Sequence, residues 1–166
     1  MDKIMLGFMT TLTETGLYEN AEKVIYALCA FITAFGTVMM PRISNMISNG
    51  KEKESRKYMI LSMQFIMFMM FAMAFGVFAV AKLMAVVLFG KEFEGSGILM
   101  SLLAFTLPLI GWANVIRSQF VIPKGRDYIY IATVITGAVL NLIVNAICIP
   151  KLGALGAVIG TLCAEG

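Results

Sequence analysis

Met59–Ala81 reads MILSMQFIMFMMFAMAFGVFAVA, a run without a charged residue. A helix needs about 20 mostly apolar residues to cross the hydrocarbon core of a bilayer. This stretch is long enough. Three more uncharged runs accompany it: Val24–Met40, Ile98–Ile116 and Tyr128–Ile149. Their lengths predict an all-α, polytopic transmembrane helix bundle, with spans near 18–41, 58–88, 98–119 and 127–149. Partial spans are expected at 1–9 and 152–166, the second too short to cross a bilayer alone.

Charge falls in alternate gaps. Arg42, Lys51, Lys53, Arg56 and Lys57 occupy the first gap, and Lys124 and Arg126 the third, with Arg117 at its edge. Between them, Gly90–Gly97 sets only Lys91 against Glu92 and Glu94, and the last gap has only Lys151. Lys and Arg concentrate in cytoplasmic loops. Loops 42–57 and 120–127 are therefore expected to be cytoplasmic.

Composition narrows the function classes. Hydrophobic residues make up 60% and charged residues 14%, too apolar for a soluble domain. Mean hydropathy is +0.88, in line with that reading. The net charge of +3 belongs to the loops, and no basic stripe is interleaved with aromatics, so no nucleic-acid partner is expected. There is no histidine, which removes the commonest metal ligand and general base. Cys29, Cys148 and Cys163 form no CxxC pair and read as packing thiols. No cofactor or metal is called for. Met67, Met69, Met70 and Met73 read as flexible apolar filler.

Along the chain, Met1–Met9 reads as the later half of a span, and polar Thr10–Asn20 as an outer loop. The next helix is expected from about Leu17 or Tyr18 to Pro41. Ser44–Lys57 reads as a loop turning at Asn49-Gly50. The Met59 span is expected to continue to Leu88, placing Lys82 near the outer interface. Pro108 and Gly111 predict a kink in the third run. The incomplete runs at both ends suggest a fragment of a larger transporter.

Polar side chains inside spans are functional candidates by default. One set is Asn114, Arg117 and Gln119, with Asn114 and Arg117 on one helix face. Arg117 is either a phosphate ligand or a snorkelling anchor. A second set, Thr133, Gly137, Asn141 and Asn145, recurs every four residues; it lines a polar path or packs helices together. Asp2 and Lys3 form a third set, at membrane depth if residues 1–9 end a span. Gly156 and Gly160 make a small-xxx-small packing match. No Walker loop, GxSxG or paired-carboxylate pattern is present, so no enzyme is expected.

The opening DKIMLG, then GLYENAEKV, a helix ending MMPRIS, and LFGKEFEGSGILM together resemble the second half of bacterial polysaccharide transporters. The tail PKGRDYIYIATVITGAVLNLIVNAICIPKLGALGAVIGTLCAEG is similar in its Gly, Pro and Asn pattern. The family is the oligosaccharide flippase branch of the multidrug/oligosaccharidyl-lipid/polysaccharide exporter superfamily. The resemblance covers nearly the whole chain, mostly through structural residues. It implies the C-terminal half of a two-bundle, 12-helix transporter in the bacterial cell membrane, running from the end of helix seven to the start of helix twelve. The implied activity is flipping of an undecaprenyl-pyrophosphate-linked oligosaccharide repeat unit by alternating access. Membrane lipids and the lipid-linked substrate are implied partners, with glycan polymerase and glycosyltransferase machinery beside them. Lys3 and Arg117 become candidate contacts to pyrophosphate or anionic sugar. Asn114, Asn141 and Asn145 become candidate sugar contacts, and Asp2 a candidate ion-coupling residue. A drug or metabolite cation antiporter of the same superfamily, and a non-transporting scaffold or inactive remnant, are the alternatives.

Overall fold

The computed structural model describes residues 2–166, so Met1, the first residue of the expected partial span, lies outside it. Every regular element is helical. In order they are α1 (Asp2–Met9), α2 (Leu12–Ser48), α3 (Glu52–Phe89), a 3₁₀ turn (Lys91–Phe93), α4 (Gly95–Leu103), α5 (Thr106–Ile116), a π turn (Arg117–Val121), α6 (Asp127–Leu152) and α7 (Ala154–Glu165). Four helical stretches are long and apolar enough to cross a membrane: α2, α3, Gly95–Val121 and α6. The protein is a multi-pass helical membrane protein.

Helix α2 begins at Leu12, inside the stretch expected to be a loop. Thr11-Leu12-Thr13-Glu14 is a capping-box sequence, and the Thr11 side chain accepts from the Glu14 amide at 3.3 Å. At its other end α2 passes Pro41, where a stop was expected, and continues to Ser48. Proline costs one backbone hydrogen bond there, while fully buried Ile43 anchors the turn beyond it. The helix stops at Asn49-Gly50, and Gly50 takes φ +71°, in the region that favours glycine.

The charge run KEKESRK is likewise the start of α3, not a loop. Glu52 and Glu54 in its first turn favour helix initiation through the helix dipole. The 37 residues of α2 extend about 55 Å, well beyond a hydrocarbon core of about 30 Å.

Gly95–Val121 is the central element, the most buried of the four stretches. It is broken at Ala104–Phe105, four residues before Pro108. Pro108 has no N–H for the Ala104 carbonyl, which instead accepts from Leu107 at 3.1 Å in a tighter turn.

Two ends of the bundle are defined by contacts. At one, Ser96 Oγ donates to the Leu17 carbonyl at 2.9 Å, and Glu14 accepts from the Ala154 amide at 2.9 Å. Lys82 pairs with Glu94 at 2.7 Å near this end. At the other end, Ile47, Arg56 and Lys124 line one cavity, so the two basic segments lie side by side. Large apolar side chains such as Phe68, Phe75, Leu83 and Ile131 face outward. Lipid tails are the natural solvent for such a surface.

Candidate functional site

Helices α6 and α7 form a tight antiparallel pair, turned by Gly153 at φ +57°. A Cβ on Gly156 would lie 2.5 Å from the Cys148 carbonyl carbon, and one on Gly160 would collide with the Asn145 amide. This close approach sets Asn141 and Asn145 against neighbouring helices. With Ile149 they are the buried residues of α6.

Asp2 opens α1 and meets the Asn145 amide, which also reaches Asn141. Asn145 Nδ2 donates to Asp2 Oδ1 at 2.6 Å and to Asn141 Oδ1 at 3.0 Å. On the other carboxylate oxygen, Asp2 Oδ2 accepts from the Tyr18 hydroxyl at 3.3 Å and from Thr161 Oγ1 at 3.4 Å. The two hydroxyls lie 2.9 Å apart, so one can donate to the other. The single Thr161 proton is shared between Asp2 and the Ala157 carbonyl, which lies at 3.0 Å. Asn145 Oδ1 is buried without a hydrogen-bond partner. One carboxylate, two amides and two hydroxyls from α1, α2, α6 and α7 thus share one junction. Carboxylate, amide and hydroxyl oxygens are ligands for hard cations, and a carboxylate can also carry a proton. Among the described residues, no group of three or more His, Cys, Asp and Glu is placed to hold a metal ion.

Lys3 is not free beside Asp2. Its Nζ lies 2.7 Å from Glu22 Oε2, with side chains 44% and 11% exposed. Glu22 is turned into the bundle. Tyr18, Glu22 and Ile25 occupy one buried face of α2, at the i, i+4, i+7 spacing.

Asn114 and Arg117 make their contacts elsewhere and with different helices. Asn114 Oδ1 lies where a Cβ on Gly36 of α2 would come within 2.5 Å. Arg117 Nη1 donates to the Tyr130 hydroxyl of α6 at 3.1 Å, and the guanidinium carbon lies 5.2 Å from that ring's centre. The π turn begins at Arg117 and changes the helical phase there, so three-residue spacing no longer implies a common partner. Gln119 is turned inward, 2% exposed. In the four-residue stripe of α6, Thr133 is exposed and bonds the Tyr130 carbonyl at 2.8 Å. Gly137 approaches the Ala164 carbonyl, to which its Cβ would come within 3.1 Å.

Tyr18 and Thr161 were not legible as site residues. Tyr18 falls where outer loop is expected to give way to helix, with nothing to show which way it faces, and Thr161 lies among small residues that signal only packing. The T-x-x-E cap ahead of Tyr18 puts it well inside a helix.

Among curated proteins, the chain is 26% identical over 169 residues to the probable low-salt glycan biosynthesis flippase of Haloferax volcanii. That alignment covers 97% of this chain and 34% of the relative, so the chain spans about a third of the relative's length. No solved structure matches. Residues 1–98, more than half of the chain, match the family described as polysaccharide biosynthesis protein, and the chain belongs to that family.

Proposed function

We propose that the protein is a transporter, not an enzyme, and flips a lipid-linked oligosaccharide across the membrane by alternating access. The Asp2 junction acts as its cation-coupling site. The observation that carries the coupling is the Asp2 carboxylate, held by donors from three other helices. Asp2 supplies one negative charge at the junction, which suits a monovalent cation better than a divalent ion. Asn141 Oδ1 and the Tyr18 and Thr161 hydroxyls supply further oxygens. Neutralising Asp2 weakens the attraction of α1 for α2, α6 and α7. That is the kind of bias a two-state helix packing needs for cation binding to drive rocking.

The family and the flippase relative support a glycan-lipid substrate. The carrier expected from the sequence resemblance is undecaprenyl pyrophosphate, in the bacterial cell membrane. Arg117 is the better candidate for an anionic substrate contact, because Lys3 is already paired with Glu22. Asn114 retains the sugar-contact role only if α2 and α5 separate at Gly36 during the cycle. The basic end of the bundle, with residues 42–57 and 120–127, is assigned to the cytoplasm. Glycan polymerase and glycosyltransferase machinery would act beside it.

The test is complementation of a deletion strain of the source cell. Asp2→Asn should leave the protein inserted but let lipid-linked repeat units accumulate on the cytoplasmic leaflet. Full restoration of surface glycan by Asp2→Asn would overturn the coupling role. Unchanged lipid-linked pools in the deletion strain itself would overturn the flippase.

A further inference from the structure

At the basic end of the bundle, a cavity of about 380 Å³ lies between the end of α2, the start of α3 and the π turn. Gln119 lines it from below. The side chain is 2% exposed, yet neither Nε2 nor Oε1 has a hydrogen-bond partner. Burying an amide unpaired is costly, so both of its ends call for a ligand. The π turn makes this placement. Ile122 N–H reaches back five residues to the Arg117 carbonyl at 3.0 Å, and Arg126 N–H to that of Val121 at 3.0 Å. The widened turn swings Gln119 inward.

The cavity also holds Arg56, Lys124, Ser55 and Glu52. Neither Arg56 nor Lys124 has a carboxylate partner among the described residues. Lys124 Nζ rests 4.6 Å from the centre of the Phe120 ring, which positions it at the rim. Two cations against one carboxylate leave room for one negative charge. Helix α3 begins here without a side-chain cap, so its first amide N–H groups add to the positive end. Ile47, Met59 and Phe120 make the remaining wall apolar. A cationic rim over an apolar wall suits an amphiphile better than a free ion.

We infer that this cavity binds the phosphodiester headgroup of an anionic lipid from the adjacent leaflet, with Arg56 and Lys124 on the phosphate and Gln119 reading the group beneath it. The site is distinct from the Asp2 junction, and its occupancy does not depend on transport. Basic pockets between helices on the cytoplasmic side are suited to such headgroups.

The test measures binding to purified protein in neutral detergent. The probes are dioctanoyl phosphatidylglycerol, dioctanoyl phosphatidylcholine and inorganic phosphate. Phosphatidylglycerol should bind saturably and more tightly than phosphatidylcholine. Gln119→Leu should weaken it about tenfold, the size expected for loss of a buried hydrogen bond. The double variant Arg56→Gln/Lys124→Gln should weaken it further, whereas Arg42→Gln, whose guanidinium packs 4.3 Å from the centre of the Tyr58 ring, should not. Saturable inorganic phosphate binding, lost in the same variants, would support the phosphate chemistry and make the soluble ion its occupant. Equal binding of phosphatidylcholine would overturn the proposal, as would an equal loss in Arg42→Gln or no loss in Gln119→Leu. Failure to bind any of the three probes would also overturn it. The thermal midpoint of Gln119→Leu, which should not fall because a buried unpaired amide is removed, separates loss of binding from loss of fold.

Discussion

Asn145 of α6 donates to the carboxylate of Asp2 in α1 at 2.6 Å, across 143 positions of sequence. This bond ties the first described helix to the hairpin at the far end of the chain. Asn145→Ala removes the shortest donor to Asp2 and should destabilise the protein by about 1–3 kcal/mol. Thr161→Val, which loses a contact of 3.4 Å, should cost less. Thermal unfolding in detergent measures both.

The α6–α7 hairpin depends on the absence of side chains at two positions. Gly160→Ala would drive a methyl group into the Asn145 amide, and Gly156→Ala would meet the Cys148 backbone. Overpacking of this kind typically costs about 1–3 kcal/mol, and at Gly156 the obstacle is backbone that cannot rotate away. Gly76→Ala has nothing within 4 Å and is the control. It should be neutral or stabilising by about 0.5–1 kcal/mol, since alanine favours a helix interior. Equal thermal midpoints for the Gly156 and Gly76 variants would contradict the packing described.

Glu14 starts α2 but caps α7. Its Oε2 accepts the Ala154 amide at 2.9 Å, just after the positive-φ turn at Gly153. Glu14→Ala should cost about 1 kcal/mol, as for loss of an N-cap. Hydrogen exchange should show the loosening in the first turn of α7 more than in the first turn of α2, which keeps its Thr11 cap.

The Lys3–Glu22 pair assigns Lys3 a structural partner. A double-mutant cycle with Lys3→Met and Glu22→Gln should return a coupling of up to about 1 kcal/mol, since Lys3 is 44% exposed and water screens it. Lys3→Arg should retain most of it. A coupling near zero would free Lys3 for the substrate contact suggested by its sequence position.

These contacts mark what a linear reading can and cannot reach. The four apolar runs were legible because length and hydropathy alone decide whether a helix suits a bilayer. The candidate status of Asp2, Asn141 and Asn145 was legible because polar groups at membrane depth are rare. Their convergence was not. Nothing in the spacing of Asn145 says that it meets Asp2 rather than a sugar. The burial of Glu22 was not legible because its partner, Lys3, comes from another helix. The break at Ala104 lies a full turn before the proline that causes it, because the ring acts on the carbonyl four residues back. The starts of α2 and α3 were read as loops from their polarity, whereas the Thr11–Glu14 cap and the acidic first turn of α3 are helix-initiating.

The account rests on Asp2 as the charge that binds the coupling cation. The most direct measurement is the thermal midpoint of the purified protein in sodium chloride and in choline chloride at equal ionic strength, for the native sequence and for Asp2→Asn. The account predicts that sodium stabilises the native protein and that Asp2→Asn does not respond to it. A native protein indifferent to sodium, or an Asp2→Asn variant that responds as the native protein does, would contradict it.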